Sequence, residues 1–125
     1  MAAATHWSNQ LQCRRVDYDG AVCLVLSGEL DLASIATLQA QFKAVAQRED
    51  DVVVDMGGLR YIDSSGAKVL LDAQRLLARS RRRIVMANVQ PMARRIIDVM
   101  GIEKAIPIFS TVEAALEDLQ KNKEP

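Results

Sequence analysis

The sequence predicts an α/β fold: a mixed sheet of four to five strands with about four helices lying mainly on one face. Three observations carry this. After an opening hairpin, strand-like and helix-like hydrophobic periods alternate in the order β-β-α-β-α-β-α-β-α, and such alternation implies parallel strands joined by right-handed crossovers. Val52-Val53-Val54 is a dense β-branched run, suited to a central parallel strand. The chain has 125 residues, 50% of them hydrophobic and 26% charged, which is enough to bury one core without help from a metal or a disulfide.

The elements follow in order. Residues 1–10 read as a flexible leader that includes the one histidine, His6, next to Trp7. Leu11 to Val16 alternates as a first strand, and Asp17-Tyr18-Asp19-Gly20 has the Asp and Gly chemistry of a hairpin turn. Ala21 to Leu26 is a nearly unbroken apolar run, read as a buried strand that Ser27-Gly28-Glu29-Leu30-Asp31 ends. From Leu32 the period turns helical: Leu32, Ile35, Leu38, Phe42 and Val45 form one stripe. Asp31 is positioned as its N-cap, and the helix closes near Arg48.

Val52 to Val54 then forms the central strand, and Asp55 to Asp63, with its Gly57-Gly58 pair, reads as a loop. Ser64 opens the second helix, whose Lys68, Asp72, Arg75 and Arg79 share one exposed face. Ser80-Arg81-Arg82-Arg83 closes it as a solvated, positively charged helix end. Ile84 to Ala87 is the next strand. Pro91 takes the first position of a short helix that stops at Gly101. Pro107-Ile108-Phe109 suits an edge strand. Ser110 or Thr111 caps a last helix bearing Val112, Ala115, Leu116 and Leu119, and residues 121–125 are expected to fray.

Composition narrows the function. Sixteen basic residues balance sixteen acidic ones, so the chain lacks the overall positive field that sequence-independent nucleic-acid binding needs. No run approaches the ~18 apolar residues of a membrane span, and Met1 to Gln10 lacks the basic flank and apolar stretch of a secretory signal. Cytoplasm is the expected compartment, where Cys13 and Cys23, on neighbouring strands, are expected as reduced, packed thiols. No CxxC or HxxxH spacing supports a metal site. A Ser-His-Asp hydrolase would have to recruit His6, and no GxSxG elbow exists. No cofactor is expected.

In a parallel sheet the loops leaving the strands' C-terminal ends share one edge. That edge is expected to gather Asp63-Ser64-Ser65-Gly66, Asn88, and the Gly28-to-Asp31 segment. Ser64 is the informative position: a serine at a helix N-terminus is well placed to carry a phosphate, because free amides and the helix dipole stabilise the added charge. Gly66 would let a partner's backbone approach closely. The same Asp-Ser-Ser-Gly is also ordinary capping chemistry, and Glu29 and Asp31 have turn and cap roles open to them.

Gly28-Glu29-Leu30-Asp31, Val52-Val53-Val54-Asp55 and Ile62-Asp63-Ser64-Ser65-Gly66 together resemble the STAS domain of bacterial anti-sigma factor antagonists. The resemblance runs over residues 11–120 as a single domain. It implies a protein-binding regulator and not an enzyme. In that family the antagonist binds an anti-sigma factor that is also a serine kinase, is released when phosphorylated, and is reset by a PP2C-type phosphatase. The resemblance makes Ser64 the phosphoacceptor and puts Asp63, Ser65 and Gly66 in the contact, with Glu29 and Asp31 beside them. Ala67-Lys68 departs from the small-apolar pair common after the motif. Lys68 lies one helical turn beyond Ser64, in reach of a phosphate or an acidic partner. STAS domains also serve as subunits that bind the ATPase of ABC-type lipid transporters, or as scaffolds of signalling assemblies, which gives the alternative partner.

Overall fold

The computed structural model describes residues 10–122; His6 and residues 123–125 of the expected tail lie outside them. The sheet has five strands in the order β1-β2-β3-β4-β5: β1 (Gln12–Tyr18), β2 (Ala21–Leu30), β3 (Asp51–Ile62), β4 (Ile84–Ala87) and β5 (Ile108–Phe109). β1 is antiparallel to β2 across the Asp19-Gly20 turn, and every other pair is parallel. Four α-helices join them: α1 (Ile35–Ala46), α2 (Ser64–Ala78), α3 (Pro91–Val99) and α4 (Val112–Lys121).

Period-two burial sorts the strand residues onto two faces. Val22, Leu24 and Leu26 of β2, with Val52, Val54 and Met56 of β3, join Leu38 and Phe42 of α1, Leu70 and Leu77 of α2, and Ile97 of α3 in the main core. Ala21, Cys23, Val53, Val85 and Ala87 point the other way and are covered by Ala115 and Leu119 of α4. Three helices therefore lie on one face and one on the other. The same alternation separates the cysteines: Cys13 packs against the main core and Cys23 belongs to the second. Both are free thiols, and burial pushes each up to about 11.

The largest departure from expectation is the length of β2 and β3. Residues 27–30 do not end β2, and residues 55–62 are strand, not loop. The two strands stay paired through Ser27↔Gly58, Gly28↔Leu59, Glu29↔Tyr61 and Leu30↔Ile62, with register shifts on either side of Ser27-Gly28. Glycine here permits close approach, since a Cβ on Gly58 would lie 2.8 Å from the Leu26 carbonyl oxygen and 2.9 Å from Ser27 Cβ. β4 pairs with β3 only over Val52 to Asp55. The β2–β3 ladder thus projects beyond the rest of the sheet.

Helix ends also differ. α1 begins at Ile35, so Leu32 stands outside it at 72% exposed and is no part of the buried stripe. α2 ends in a left-handed Arg81 with φ 60°, and the Arg82 N–H bonds back to the Leu77 carbonyl. Arg82 is not solvated: it is buried, and its guanidinium donates to the carbonyls of Val45, Ala46 and Arg48 at the end of α1. A cation on those carbonyls suits the negative pole of the helix. Thr111 caps α4, its hydroxyl accepting from the Ala114 N–H at 3.0 Å. At the other end the Asn122 amide donates to the Asp118 carbonyl at 3.0 Å.

Candidate functional site

The projecting end of the β2–β3 ladder carries two turns side by side: residues 31–34 before α1, and Asp63 before α2. The Asp63 N–H donates to the Leu30 carbonyl at 3.2 Å, which ties them together. Asp63, in extended backbone at φ −111° and ψ −177°, is the N-cap of α2. Its Oδ1 accepts the Gly66 N–H at 3.0 Å and the Ser65 hydroxyl at 2.6 Å. Burial works against the charged carboxylate, but hydrogen bonds from the Ser65 hydroxyl and from the backbone N–H groups of Gly66, Leu32 and Ser65 outweigh it. They hold the carboxyl below its ordinary value. The Leu32 N–H belongs to the neighbouring turn, so groups of both segments favour the charged carboxylate.

With Asp63 as the cap, Ser64 is the first helical residue and not the capping group. It is exposed, and no hydrogen bond engages its hydroxyl among the described residues. Gly66 is buried, and the close approach it permits is internal: an added Cβ would lie 2.6 Å from Leu30 Cγ. The fold itself therefore requires this glycine, where the motif suggested room for a partner's backbone.

Asp31 shapes its own turn. Its carboxylate accepts the Ala33 N–H at 3.1 Å, while its N–H donates to the Ser34 hydroxyl at 3.0 Å. That hydroxyl donates to the Glu29 carbonyl at 2.9 Å. An open cleft beside the turn is lined by Gln10, Glu29, Asp31, Ser34 and Thr37, and Gln10 forms a bridge to Glu29. Lys68 is exposed on the next turn of α2 and pairs with Asp72 at 3.7 Å.

Asn88 is not brought to this corner. It sits in the left-handed region at φ 57°, and its amide donates to Asp55 Oδ1 at 3.0 Å. From there β3 runs on from Met56 to Ile62 before Asp63 is reached, ~20 Å of extended chain at ~3.3 Å per residue. The expected shared edge fails for Asn88 because β3 outruns β4.

Two residues at the corner escaped the sequence reading. Leu32, 72% exposed, and Tyr61, 45% exposed, are large hydrophobic side chains on the two segments that lead into this corner. Leu32 was hidden by a helical period that it continues without joining. Tyr61 was hidden in a segment read as loop.

A mixed sheet with one antiparallel edge and a projecting β2–β3 ladder, beside whose end Ser64 stands exposed, defines a small α/β domain. The chain belongs to the STAS domain family, whose model matches residues 13–115. It is 29% identical over 112 residues to the anti-sigma F factor antagonist of Paenibacillus polymyxa, covering 88% of this chain and 96% of that one. It is 31% identical over 101 residues to the anti-sigma-F factor antagonist RsfB of Mycobacterium tuberculosis, covering 80% and 82%. Among solved structures, an anti-sigma factor antagonist from Mycobacterium paratuberculosis superposes with a TM-score of 0.82 at 24% identity, over 90% of this chain and 96% of that one. The phosphorylated form of the Bacillus cell fate determinant SpoIIAA superposes with a TM-score of 0.67 at 22% identity, over 87% and 98%. No helix among the described residues is long and apolar enough to cross a membrane.

Proposed function

We propose that this chain is a cytoplasmic anti-sigma factor antagonist. It binds an anti-sigma factor with serine kinase activity and is released when Ser64 is phosphorylated. The observation that carries the reading is the division of labour at the start of α2. Asp63 and Ser65 complete the cap between them, and Ser64 stands exposed with its hydroxyl unengaged. Relatives named as anti-sigma factor antagonists support the partner class.

The mechanism follows from charge and position. The kinase brings ATP, magnesium and the base, and this chain supplies the Ser64 hydroxyl. The unmodified corner offers Leu32 and Tyr61 for apolar contact, with Ser65, Glu29, Asp31 and Lys68 around them. A phosphate adds about −1.5 to −2 charges at pH 7. The first-turn amides and the dipole of α2 stabilise it, so the fold survives. Its charge joins those of Asp63, Asp31 and Glu29, and an interface formed over the bare hydroxyl is broken by desolvation and like-charge repulsion. Lys68 is free to leave Asp72 for the phosphate, because an exposed ion pair contributes ~1 kcal/mol at most. A PP2C-type phosphatase restores the bare serine. Neither nucleic acid nor membrane insertion has a part in this cycle.

The test is capture from an extract of the cell that makes the protein, with wild type, Ser64→Ala and Ser64→Asp as bait. Wild type and Ser64→Ala are expected to retain an anti-sigma factor, and Ser64→Asp to lose it. Retention of an ABC-type ATPase by all three baits contradicts the switch and supports the transporter-subunit reading.

A further inference from the structure

We propose that Asp63 selects the phosphoacceptor: by holding the Ser65 hydroxyl it leaves Ser64 as the one serine of the adjacent pair able to take a phosphate. The inference rests on the switch reading above, which names Ser64, and adds what keeps its neighbour Ser65, with the same chemistry, from the same reaction.

The two hydroxyls stand in opposite situations. Ser65 is half-buried, and its hydroxyl donates to Asp63 Oδ1 at 2.6 Å, the length of a charge-assisted O–H···O⁻ bond. Ser64 is exposed and its hydroxyl is unengaged among the described residues. Phosphoryl transfer forms a bond from the serine oxygen to the γ-phosphorus of ATP and breaks the bond to ADP. The hydroxyl proton passes to a base on the kinase. Ser64 can present its oxygen to that reaction as it stands. Ser65 would first have to turn away from Asp63.

Asp63 does not serve instead as a base for Ser65. Its carboxylate is fixed by the Gly66 N–H at 3.0 Å and is held below its ordinary range, which makes it a weak proton acceptor. Giving up a hydrogen bond to a charged group costs a population factor on the order of 10- to 100-fold. The same carboxylate therefore caps the helix and withholds the second serine. Asp63 is a positioning residue in this scheme, since it acts on the acceptor choice through Ser65.

Two measurements test this. In the first, wild type and Asp63→Ser are incubated with ATP and an extract of the cell that makes the protein, and phosphate is assigned to Ser64 or Ser65 by mass spectrometry. Serine is itself a favoured N-cap, and circular dichroism checks that the variant is folded. Wild type is expected to carry phosphate on Ser64 alone, with the share on Ser65 rising at least tenfold in Asp63→Ser. Three results overturn the inference: wild type labelled on both serines, Asp63→Ser labelled on Ser64 alone, or loss of all label in Asp63→Ser, which would make Asp63 a contact for the kinase.

The second measurement needs no kinase. The Asp63 carboxyl is titrated by carbon NMR in wild type and Ser65→Ala. Removal of the hydroxyl is expected to raise the carboxyl toward its ordinary value, and an unchanged titration overturns the hydrogen bond on which selection depends. Wild type without label on either serine, beside a carboxyl that does rise, instead defeats the switch reading. It takes acceptor selection with it and leaves the bond as a cap alone.

Discussion

Gly66 lies so close to Leu30 that a Cβ placed on it would stand 2.6 Å from Leu30 Cγ and 2.8 Å from the Leu30 carbonyl oxygen. Side-chain rotation cannot clear the second contact, because it is backbone. Gly66→Ala is therefore expected to destabilise the domain by ~1–3 kcal/mol through overpacking, read as a lower denaturation midpoint. It should also push the 31–34 turn away from α2 and weaken partner binding beyond what the stability loss explains.

Arg82 is the second test of the fold. Its guanidinium satisfies carbonyls at the C-terminus of α1 from a buried position. Arg82→Ala leaves those acceptors unpaired, and ~2–4 kcal/mol of stability is expected to go with them. Arg81→Ala instead changes an exposed side chain in the left-handed region, where arginine and alanine bear the same Cβ strain, so its cost should stay within ~0.5 kcal/mol. Urea denaturation of the two variants separates these outcomes.

The acid limb of stability should report Asp63. Its folded-state carboxyl is lowered from the ordinary 3.8, so the folded state binds the proton less readily than the unfolded chain. The stabilising contribution is fully present above the unfolded value and is lost as pH falls through the lowered folded value. Asp63→Asn should be less stable than wild type at pH 7, with the gap closing as pH falls below the ordinary 3.8 and through the lowered folded value. Denaturation midpoints measured from pH 7 downward check the slope.

Much of this was legible in the sequence. The order of elements, the Pro91 start and Gly101 stop of α3, and the Ile84–Ala87 strand follow from local signals that tertiary packing does not oppose. The misreadings of the strands share one cause. Gly28 and the Gly57-Gly58 pair look like chain breaks, yet all three lie within the β2 and β3 strands, Gly28 at φ 93° and Gly58 where a Cβ would stand 2.8 Å from the Leu26 carbonyl oxygen. Glycine marks a bulge and a turn with the same letter. Reading them as turns shortened both strands, placed Asn88 beside Ser64 and hid Tyr61. Arg82 was misread for a related reason: its acceptors lie more than thirty residues away, on another helix.

Leu32 and Tyr61 should separate binding from stability. Both are exposed, at 72% and 45%, so Leu32→Ser and Tyr61→Ser are expected to shift stability by no more than ~0.5 kcal/mol. Each should weaken capture of the anti-sigma factor by ten-fold or more, as expected for apolar anchors at the centre of an interface. Arg95→Ser, an exposed change on α3, should leave capture intact.

The central claim is that one phosphate on Ser64 decides whether the partner is bound. The most direct test uses protein carrying phosphoserine at position 64, made by genetic incorporation, beside unmodified protein as bait in an extract of the cell that makes it. The unmodified chain is expected to retain an anti-sigma factor and the phosphorylated chain to release it, with both folded by circular dichroism. Equal recovery of the same partner on both baits would contradict the account.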